Sequence, residues 1–114
     1  MIVAALALAI CPPGPRDNCV VDGDTFWWSG EKVRIADIDA PEVNGKCEHE
    51  RNLALESRDR LAELLGNEFS IHREGQDKYG RTLAIVKVSG RSVGAQLVRE
   101  GLARTWNGRR EAWC

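Results

Sequence analysis

Residues 18–42 read NCVVDGDTFWWSGEKVRIADIDAPE, and this stretch decides the fold. Two short runs of β-branched and aromatic residues, at 18–21 and 25–28, are separated by Asp-Gly-Asp. Ser29-Gly30 is a tight-turn signal before a third run at 31–38. Short runs of this composition, bounded by turn residues, are typical of strands. The stretch therefore predicts a meander of three strands.

The third of these strands carries the first functional signal. Its apolar residues alternate, so that Val33, Ile35 and Ile38 are expected to face the core while Arg34 points the other way. Pro41 ends the strand because proline has no N–H to donate to a ladder. An arginine is thus expected on the outer face of a rigid element.

Two helices and further strands are predicted downstream. Residues 47–65 contain no helix breaker, carry leucines at helical spacing and end at Gly66. A second helix begins at Ser92, a good N-cap, and ends at Gly101. The remaining strands are expected at 69–72, 83–88 and 102–106, with a polar loop over 74–81.

This order of elements favours one architecture. Most connections are too short for parallel crossovers, so we predict a mainly β fold with two helices (α+β), a five-stranded Greek-key barrel of the OB-fold type. At 114 residues the chain fits one domain. We expect that domain to occupy 17–114, after an apolar leader and a proline-rich breaker over 1–16.

The leader bears on where the protein works. Residues Met1 to Ile10 have no polar side chain and are too short for a membrane-spanning helix, which needs about 20 apolar residues. They are interpreted as a secretory signal or a membrane-proximal leader, although the usual basic n-region is missing. The alternative is an apolar strand of the fold itself. The expected location is secreted or periplasmic, and cytoplasmic if these residues are not a signal.

Composition excludes one mode of binding. Apolar residues at 43% and charged residues at 29% are ordinary for a soluble globular protein. The net charge is -1 and the isoelectric point is near 6.1, without the excess of Lys and Arg that holds nucleic acid non-specifically. Binding to a polyanion must therefore come from a local cluster or a bound cation.

The four cysteines lack the close pairwise spacing of a structural zinc site, so disulfides are the better interpretation. Three pairings are possible. We favour Cys11 with Cys19 and Cys47 with Cys114, the second tying the C-terminus to the body of the domain. Four reduced cysteines in a cytosolic protein are the alternative.

Two aspartates are the candidate metal ligands. Asp24 starts one strand and Asp39 ends the neighbouring one, so strand pairing can bring both carboxylates to one end of the barrel. Oxygen ligands of this kind suit Ca²⁺ or Mg²⁺, with water and one backbone carbonyl completing the shell. The alternative is that Asp22 and Asp24 merely serve the turn at Gly23.

Arginines provide the candidate anion site. Arg34 lies on the strand that ends in Asp39, and Arg81 closes a loop that contains Lys78 and Tyr79. A guanidinium donates two parallel hydrogen bonds to charged oxygens, which suits phosphate. The alternative makes Arg34 and Arg81 structural partners of Asp37, Asp39 or Asp77. The adjacent Arg109 and Arg110 are interpreted as solvated charge.

With these segments in this order, the sequence resembles the staphylococcal nuclease (thermonuclease) family. The matching segments are 21–25, 34–42, 77–81 and 98–103. The resemblance implies an OB-fold barrel and a Ca²⁺-dependent nuclease that cuts DNA and RNA with little sequence preference and leaves 3′-phosphate ends. It implies calcium ligation by Asp24, Asp39 and the carbonyl of Ala40, a general base at Glu42, scissile-phosphate binding by Arg34 and Arg81, and terminal-phosphate contacts from Lys78 and Tyr79.

The sequence also departs from the family pattern. The family's final helix and its stacking tyrosines are missing, which leaves Trp106 as a substitute platform for a base. We expect a monomer with no stable protein partner and no membrane span. A non-catalytic nucleic-acid- or protein-binding OB-fold module is the alternative function, and a disulfide-linked barrel that uses its charges only for stability is a weaker one.

Overall fold

A computed structural model describes residues 7–114 of the chain. Within them, the strands and helices follow one another in an order close to the predicted one. The elements are β1 (Cys19–Asp22), β2 (Thr25–Trp28), β3 (Glu31–Ile35), β4 (Ile38–Asp39), α1 (Glu48–Leu64), β5 (Phe69–Gln76), β6 (Thr82–Val88), β7 (Arg91–Ser92), α2 (Val93–Arg99) and β8 (Arg104–Thr105).

The main sheet has the strand order β1-β2-β3-β6-β5, with β7 added beside β6. Its neighbours are antiparallel except for β3 and β6, which run parallel. That pairing is possible because α1 and β5 lie between the two strands in sequence and form the long crossover that a parallel pair needs. A meander joined to a later hairpin in this way is the OB-like, α+β architecture that the sequence predicted.

The two tight turns of the meander have the predicted chemistry. Ser29 and Gly30 both adopt positive φ angles, of 50° and 76°, as a two-residue hairpin loop of the I′ type requires. At the first turn, Gly23 lies against α1, and a Cβ built there would come within 1.8 Å of Ser57 Oγ. Close contact with the helix therefore fixes the position of the β1–β2 turn, and with it Asp24.

The predicted third strand over 31–38 is wrong in its second half. β3 ends at Ile35, the chain turns at Ala36 and Asp37, and Ile38 and Asp39 form the short β4, which pairs with β8. The turn has partners of its own, because Asp37 accepts a hydrogen bond from the Ser92 hydroxyl at 2.7 Å. Val33, Ile35 and Ile38 are nevertheless all buried, as the alternation predicted.

The core lies between the sheet and the inner faces of both helices. Cys47 caps α1 and the Ser92 hydroxyl caps α2 by accepting from the Ala95 N–H at 3.1 Å, so the second helix begins as predicted. The largest buried side chains come from every layer; they include Phe26, Ile35, Leu61, Leu97 and Val86. This common core fixes the strand ends that carry the site.

Strand β5 is longer than predicted. It continues through Gln76 into the expected polar loop, with an irregularity between Arg73 and Gly75, because β6 gives it a partner along its whole length. Only residues 77–81 remain as a loop. Arg81 thereby comes to lie directly beside the start of β6.

Both ends of the described range, 7–114, lie against the sheet or α1. The sulfur atoms of Cys11 and Cys19, and of Cys47 and Cys114, are in bonding contact, which is the pairing favoured from the sequence. In the predicted leader, the Leu8 N–H donates to the Ala62 carbonyl oxygen at 2.9 Å and Ile10 forms a parallel bridge with Val20. Residues 1–6 of that prediction lie outside the described residues. No helix within 7–114 has the length and apolar character needed to cross a bilayer.

Candidate active site

The turn between β1 and β2 places Asp24 in the interior. Its carboxylate accepts hydrogen bonds from the Thr25 hydroxyl at 2.9 Å and from the Ala40 N–H at 3.0 Å. The second bond connects this turn to the residue that follows β4. Asp24 and the Asp39–Ala40 segment are therefore held together at one end of the sheet. The predicted reason is wrong, because Asp39 lies on β4, which pairs with β8 and not with the strand that follows Asp24.

Asp39 is the other buried carboxylate of this pair, with 3% of its surface exposed. Burial raises the pKa of Asp39 above its usual value; the guanidinium of Arg110 opposes that rise, and the negative charge of Asp24 adds to it. The two carboxylates are thus close enough to repel one another. A site of this kind favours a positive charge placed between or beside them.

Asp22 extends the negative charge toward solvent. Burial raises its pKa, while the hydrogen bond from the Val43 N–H, at 3.0 Å, lowers it and the charges of Asp24 and Glu42 raise it. Asp22 therefore belongs to the same electrostatic cluster. Its hydrogen bond to the backbone also fixes the segment that carries Glu42.

Arg34 lies beside the carboxylate pair. Its Nη2 is 3.7 Å from Asp24 Oδ2, and its Nη1 donates to the carbonyl oxygens of Ile35 and Ile38, the latter at 2.8 Å. The carbonyl groups come from both sides of the turn that breaks the predicted strand. Arg34 is therefore oriented by its own chain, and its partner carboxylate is Asp24, not Asp37 or Asp39.

Arg81 is the last residue of the loop before β6, the strand that pairs with β3. Its Nε is 2.6 Å from Asp77 Oδ2, and the other oxygen of Asp77 accepts the N–H groups of Tyr79 and Arg81, each at 2.9 Å. Burial alone would raise the pKa of Asp77, but these bonds and the charge of Arg81 hold it below its usual value. The alternative interpretation of Arg81 as a partner of Asp77 is therefore correct, and this ion pair also orients the Arg81 guanidinium.

The two arginines share one cleft of about 250 Å³. Its lining residues are Arg34, Ala36, Asp77, Arg81, Leu83 and Trp106. Strands β3 and β6 are paired in parallel with Arg34 opposite Leu83, which brings Arg81 to the same side. Two guanidinium groups therefore flank a space beside the carboxylate pair.

Aromatic side chains border this cleft. The Arg34 guanidinium carbon lies 5.6 Å from the ring of Trp106, which is 39% exposed. Tyr79 is 72% exposed, and the charged groups of Lys78 and Arg81 lie 5.2 and 5.7 Å from its ring. Trp106 thus lines the cleft, whereas Tyr79 lines a neighbouring depression that also contacts Arg81. Asp24 adjoins the cleft through its contact with Arg34, and Asp39 lines a separate pocket.

Glu42 is exposed and shares the Arg110 guanidinium with Asp39. Its Oε1 is 3.4 Å from Arg110 Nη1, and its backbone N–H donates to Glu50 Oε2 at 3.1 Å. The side chain is therefore beside the acidic pair, in an ion pair that the sequence did not predict.

Sequence reasoning missed three residues of this site: Glu50, Arg110 and Trp113. The interpretation of Arg110 as solvated charge is wrong, because it contacts Asp39, Glu42 and Glu50. The Trp113 Nε1–H donates to Asp39 Oδ2 at 3.3 Å. The Cys47–Cys114 pairing was the available signal, since it brings the C-terminus beside the start of α1.

Glu50 organises the segment around Glu42. Burial alone would raise the pKa of Glu50, but hydrogen bonds from the backbone N–H groups of Glu42 and Lys46 and the charge of Arg110 lower it below its usual value. Glu50 is 4% exposed and remains a charged hydrogen-bond acceptor at neutral pH. It holds the loop between β4 and α1 in place.

The residues present suit a hard divalent cation in part. Within 7–114, no three His, Cys, Asp or Glu side chains form a ready metal-binding group. The donors at the predicted site are instead the oxygens of Asp24 and Asp39 with the backbone at Ala40. Such a sparse, oxygen-only set fits a cation that keeps water or phosphate oxygens as its other ligands.

The fold and the site together define an OB-like domain with a carboxylate pair beside an arginine-lined cleft. Residues 32–112 match the family model described as staphylococcal nuclease homologue. Because this match covers more than half of the 114 residues, the chain belongs to the staphylococcal nuclease family.

Relatives of known name agree with this assignment. The chain is 31% identical over 90 residues to an uncharacterized endonuclease of Haemophilus influenzae, covering 74% of this chain and 47% of that protein. It is 37% identical over 93 residues to endonuclease YncB of Bacillus subtilis, covering 74% and 44%. It is 33% identical over 92 residues to the thermonuclease of Staphylococcus intermedius, covering 75% and 55%. The match thus spans about half the length of these relatives.

Proposed function

We propose that this chain is a nuclease that uses Ca²⁺ to hydrolyse phosphodiester bonds of DNA and RNA, with little sequence preference and with 3′-phosphate products. One observation carries the proposal: two oriented guanidinium groups flank a cleft, and one of them, Arg34, contacts Asp24, a buried carboxylate held beside the Asp39–Ala40 segment. Family membership and relatives named as endonucleases and thermonuclease support it.

In this proposal the cation is held by Asp24, Asp39 and the carbonyl of Ala40, and it supplies positive charge to the phosphate oxygens. Both carboxylates are buried, and other donors already orient them. That arrangement reduces the reorganisation needed when a cation binds.

Arg34 and Arg81 bind the scissile phosphate. Hydrolysis builds negative charge on the phosphoryl oxygens, and donors that are already oriented stabilise that charge more than they stabilise the substrate. Arg34 is held by two carbonyl groups and Arg81 by Asp77, so each presents a fixed edge. Glu42 then accepts a proton from the attacking water once its carboxylate is free of Arg110.

The edge of the cleft provides affinity in place of a large basic surface. Lys78 and Tyr79 contact a neighbouring phosphate, and the exposed ring of Trp106 stacks on a base. With a net charge of -1, the chain gains little from long-range attraction to a polyanion. We therefore expect binding of substrate to depend strongly on these local contacts and on the cation.

We propose further that the domain over 17–114 works as a monomer in an oxidising location, secreted or periplasmic. The two bonded cysteine pairs support the oxidising location, because disulfides persist where thiols are not kept reduced.

Cleavage assays with and without the cation test the proposed function. The oxidised protein should degrade single-stranded DNA and RNA in CaCl₂ and leave both intact in EDTA. Asp39→Asn should lower the rate by about a hundredfold or more, because one ligand and its charge are lost. Asp59→Asn is the matched control on the exposed face of α1 and should retain the native rate.

Binding without cleavage would support the alternative function. A chain that binds Ca²⁺ and DNA but cleaves neither substrate between about pH 7 and 10 would be a nucleic-acid-binding OB-fold module. Equal rates for Asp39→Asn and Asp59→Asn would also remove the carboxylate pair from the mechanism.

A further inference from the structure

The guanidinium of Arg110 already provides a positive charge at the carboxylates. Its Nη1 is 3.1 Å from Asp39 Oδ1 and 3.4 Å from Glu42 Oε1, and its Nη2 is 3.4 Å from Glu50 Oε2. The carboxylates of Asp39 and Glu50 are 5% and 6% exposed, whereas the Arg110 side chain is 43% exposed. One partly exposed guanidinium thus faces two buried carboxylates.

A C-terminal strap, residues 107–114, holds Arg110 in this place. Cys114 is bonded to Cys47, and the buried Trp113 donates to Asp39 and lies 3.7 Å from the guanidinium carbon of Arg104. Arg104 also donates to the Ala112 carbonyl oxygen at 3.0 Å. The strap is therefore anchored after Arg110, while the Arg110 side chain itself remains at the surface.

We propose that Arg110 is an internal competitor of the divalent cation and so sets the calcium affinity of the site. The inference rests on the proposed function, because it takes Asp39 as a cation ligand and Glu42 as the group that activates water. Arg110 contacts both. Binding of the divalent cation at Asp39 then displaces the Arg110 guanidinium and releases Glu42 from its ion pair.

The charges and the exposure support this competition. A guanidinium beside Asp39 neutralises part of the charge that would attract a divalent cation and would also repel that cation at close range. An exposed arginine can move into water at small cost and can keep its contact with Glu50. Trp113, by contrast, binds the other oxygen of Asp39 and stays in place.

Arg109 provides a matched control. It is exposed, next to Arg110 in sequence, and in none of the ion pairs found among residues 7–114. Replacing either arginine by glutamine changes the net charge equally. Any difference between the two variants therefore reports the contacts of Arg110 and not the charge of the whole chain.

The test is titration calorimetry of the oxidised full chain with CaCl₂, for the native protein, Arg110→Gln, Arg110→Lys and Arg109→Gln. We expect Arg110→Gln to bind calcium on the order of tenfold more tightly than the native chain. Arg110→Lys and Arg109→Gln should stay within about threefold of native, because a positive charge remains at the site in both.

Thermal unfolding provides a second readout that does not depend on activity. In EDTA, Arg110→Gln should melt below Arg109→Gln because three carboxylates lose their partner. In saturating CaCl₂ the gain in melting temperature should be larger for Arg110→Gln than for the native chain, by linkage.

Two results would overturn the inference, and they have different consequences for the proposed function. Equal calcium affinities of Arg110→Gln and Arg109→Gln, or a weaker one for Arg110→Gln, would show that Arg110 does not compete, and the proposed function would survive. Absence of calcium binding in all four proteins would contradict the cation site and the inference together.

Discussion

Single residues at this site are oriented by the chain before any ligand arrives. Arg34 shows this most clearly, because the carbonyl groups of Ile35 and Ile38 and the carboxylate of Asp24 surround its guanidinium. A side chain held in this way loses little rotamer freedom when it binds phosphate. Asp77 plays the same part for Arg81, because it accepts from the Arg81 Nε–H and N–H and also from the Tyr79 N–H.

Glu31 is a charged residue whose role is structural. Hydrogen bonds from Arg73, at 2.9 Å, and from the Thr82 hydroxyl, at 2.6 Å, lower the pKa of Glu31 from 4.5 to about 2. The folded state thus binds the proton less readily than the unfolded chain does. Stability from Glu31 is present above about pH 4.5 and is lost as the pH falls toward about 2.

We predict that the free energy of unfolding of Glu31→Gln depends less on pH at acidic pH than that of the native chain does. Unfolding in urea, followed by circular dichroism between about pH 2 and 5, measures it. The native chain should lose more stability than Glu31→Gln over that interval, whereas Glu68→Gln, at an exposed position, should follow the native curve. Parallel curves for native and Glu31→Gln would contradict the prediction.

At the scale of elements, the site depends on short strands and turns that meet at one end of the sheet. The β1–β2 turn supplies Asp24, β4 supplies Asp39, and β3 with β6 supplies the arginine cleft. The C-terminal strap joins these to α1 through the Cys47–Cys114 bridge. The strap therefore stabilises the site and places the Arg110 guanidinium in it.

The two disulfides should differ in what they contribute. They close loops with sequence separations of 67 and 8 residues, for which chain entropy gives about 4 and about 2.5 kcal/mol. We predict that Cys47→Ser/Cys114→Ser lowers the free energy of unfolding more than Cys11→Ser/Cys19→Ser does. Urea denaturation of the two double variants measures this difference, and equal losses would contradict it.

At the scale of the whole molecule, local patterns predicted the features that depend on neighbouring residues. Alternation in β3 predicted that Arg34 lies on the other face of the strand from Val33 and Ile35. The turn residues Ser29 and Gly30 predicted the hairpin between β2 and β3. These properties follow from strand geometry and backbone sterics within a few residues. The meander of β1, β2 and β3 and the burial of Val33, Ile35 and Ile38 followed from them.

Features that need a distant partner were not predictable in this way. The break after Ile35 depends on β8, about 70 residues later in the chain, and the extension of β5 depends on the full length of β6. The contacts of Arg110 with Asp39 and Glu50 span 71 and 60 residues. No local pattern carries that information, and only the long disulfide pointed toward it.

The central claim is that the arginine cleft and the carboxylate pair form one site with separate tasks. The turnover number for single-stranded DNA in saturating CaCl₂ tests it in Arg81→Ala, with calcium affinity measured on the same sample. We predict that turnover falls by about a hundredfold or more while calcium still binds, and that Arg91→Ala on β7 keeps native turnover. Native turnover in Arg81→Ala would contradict the account.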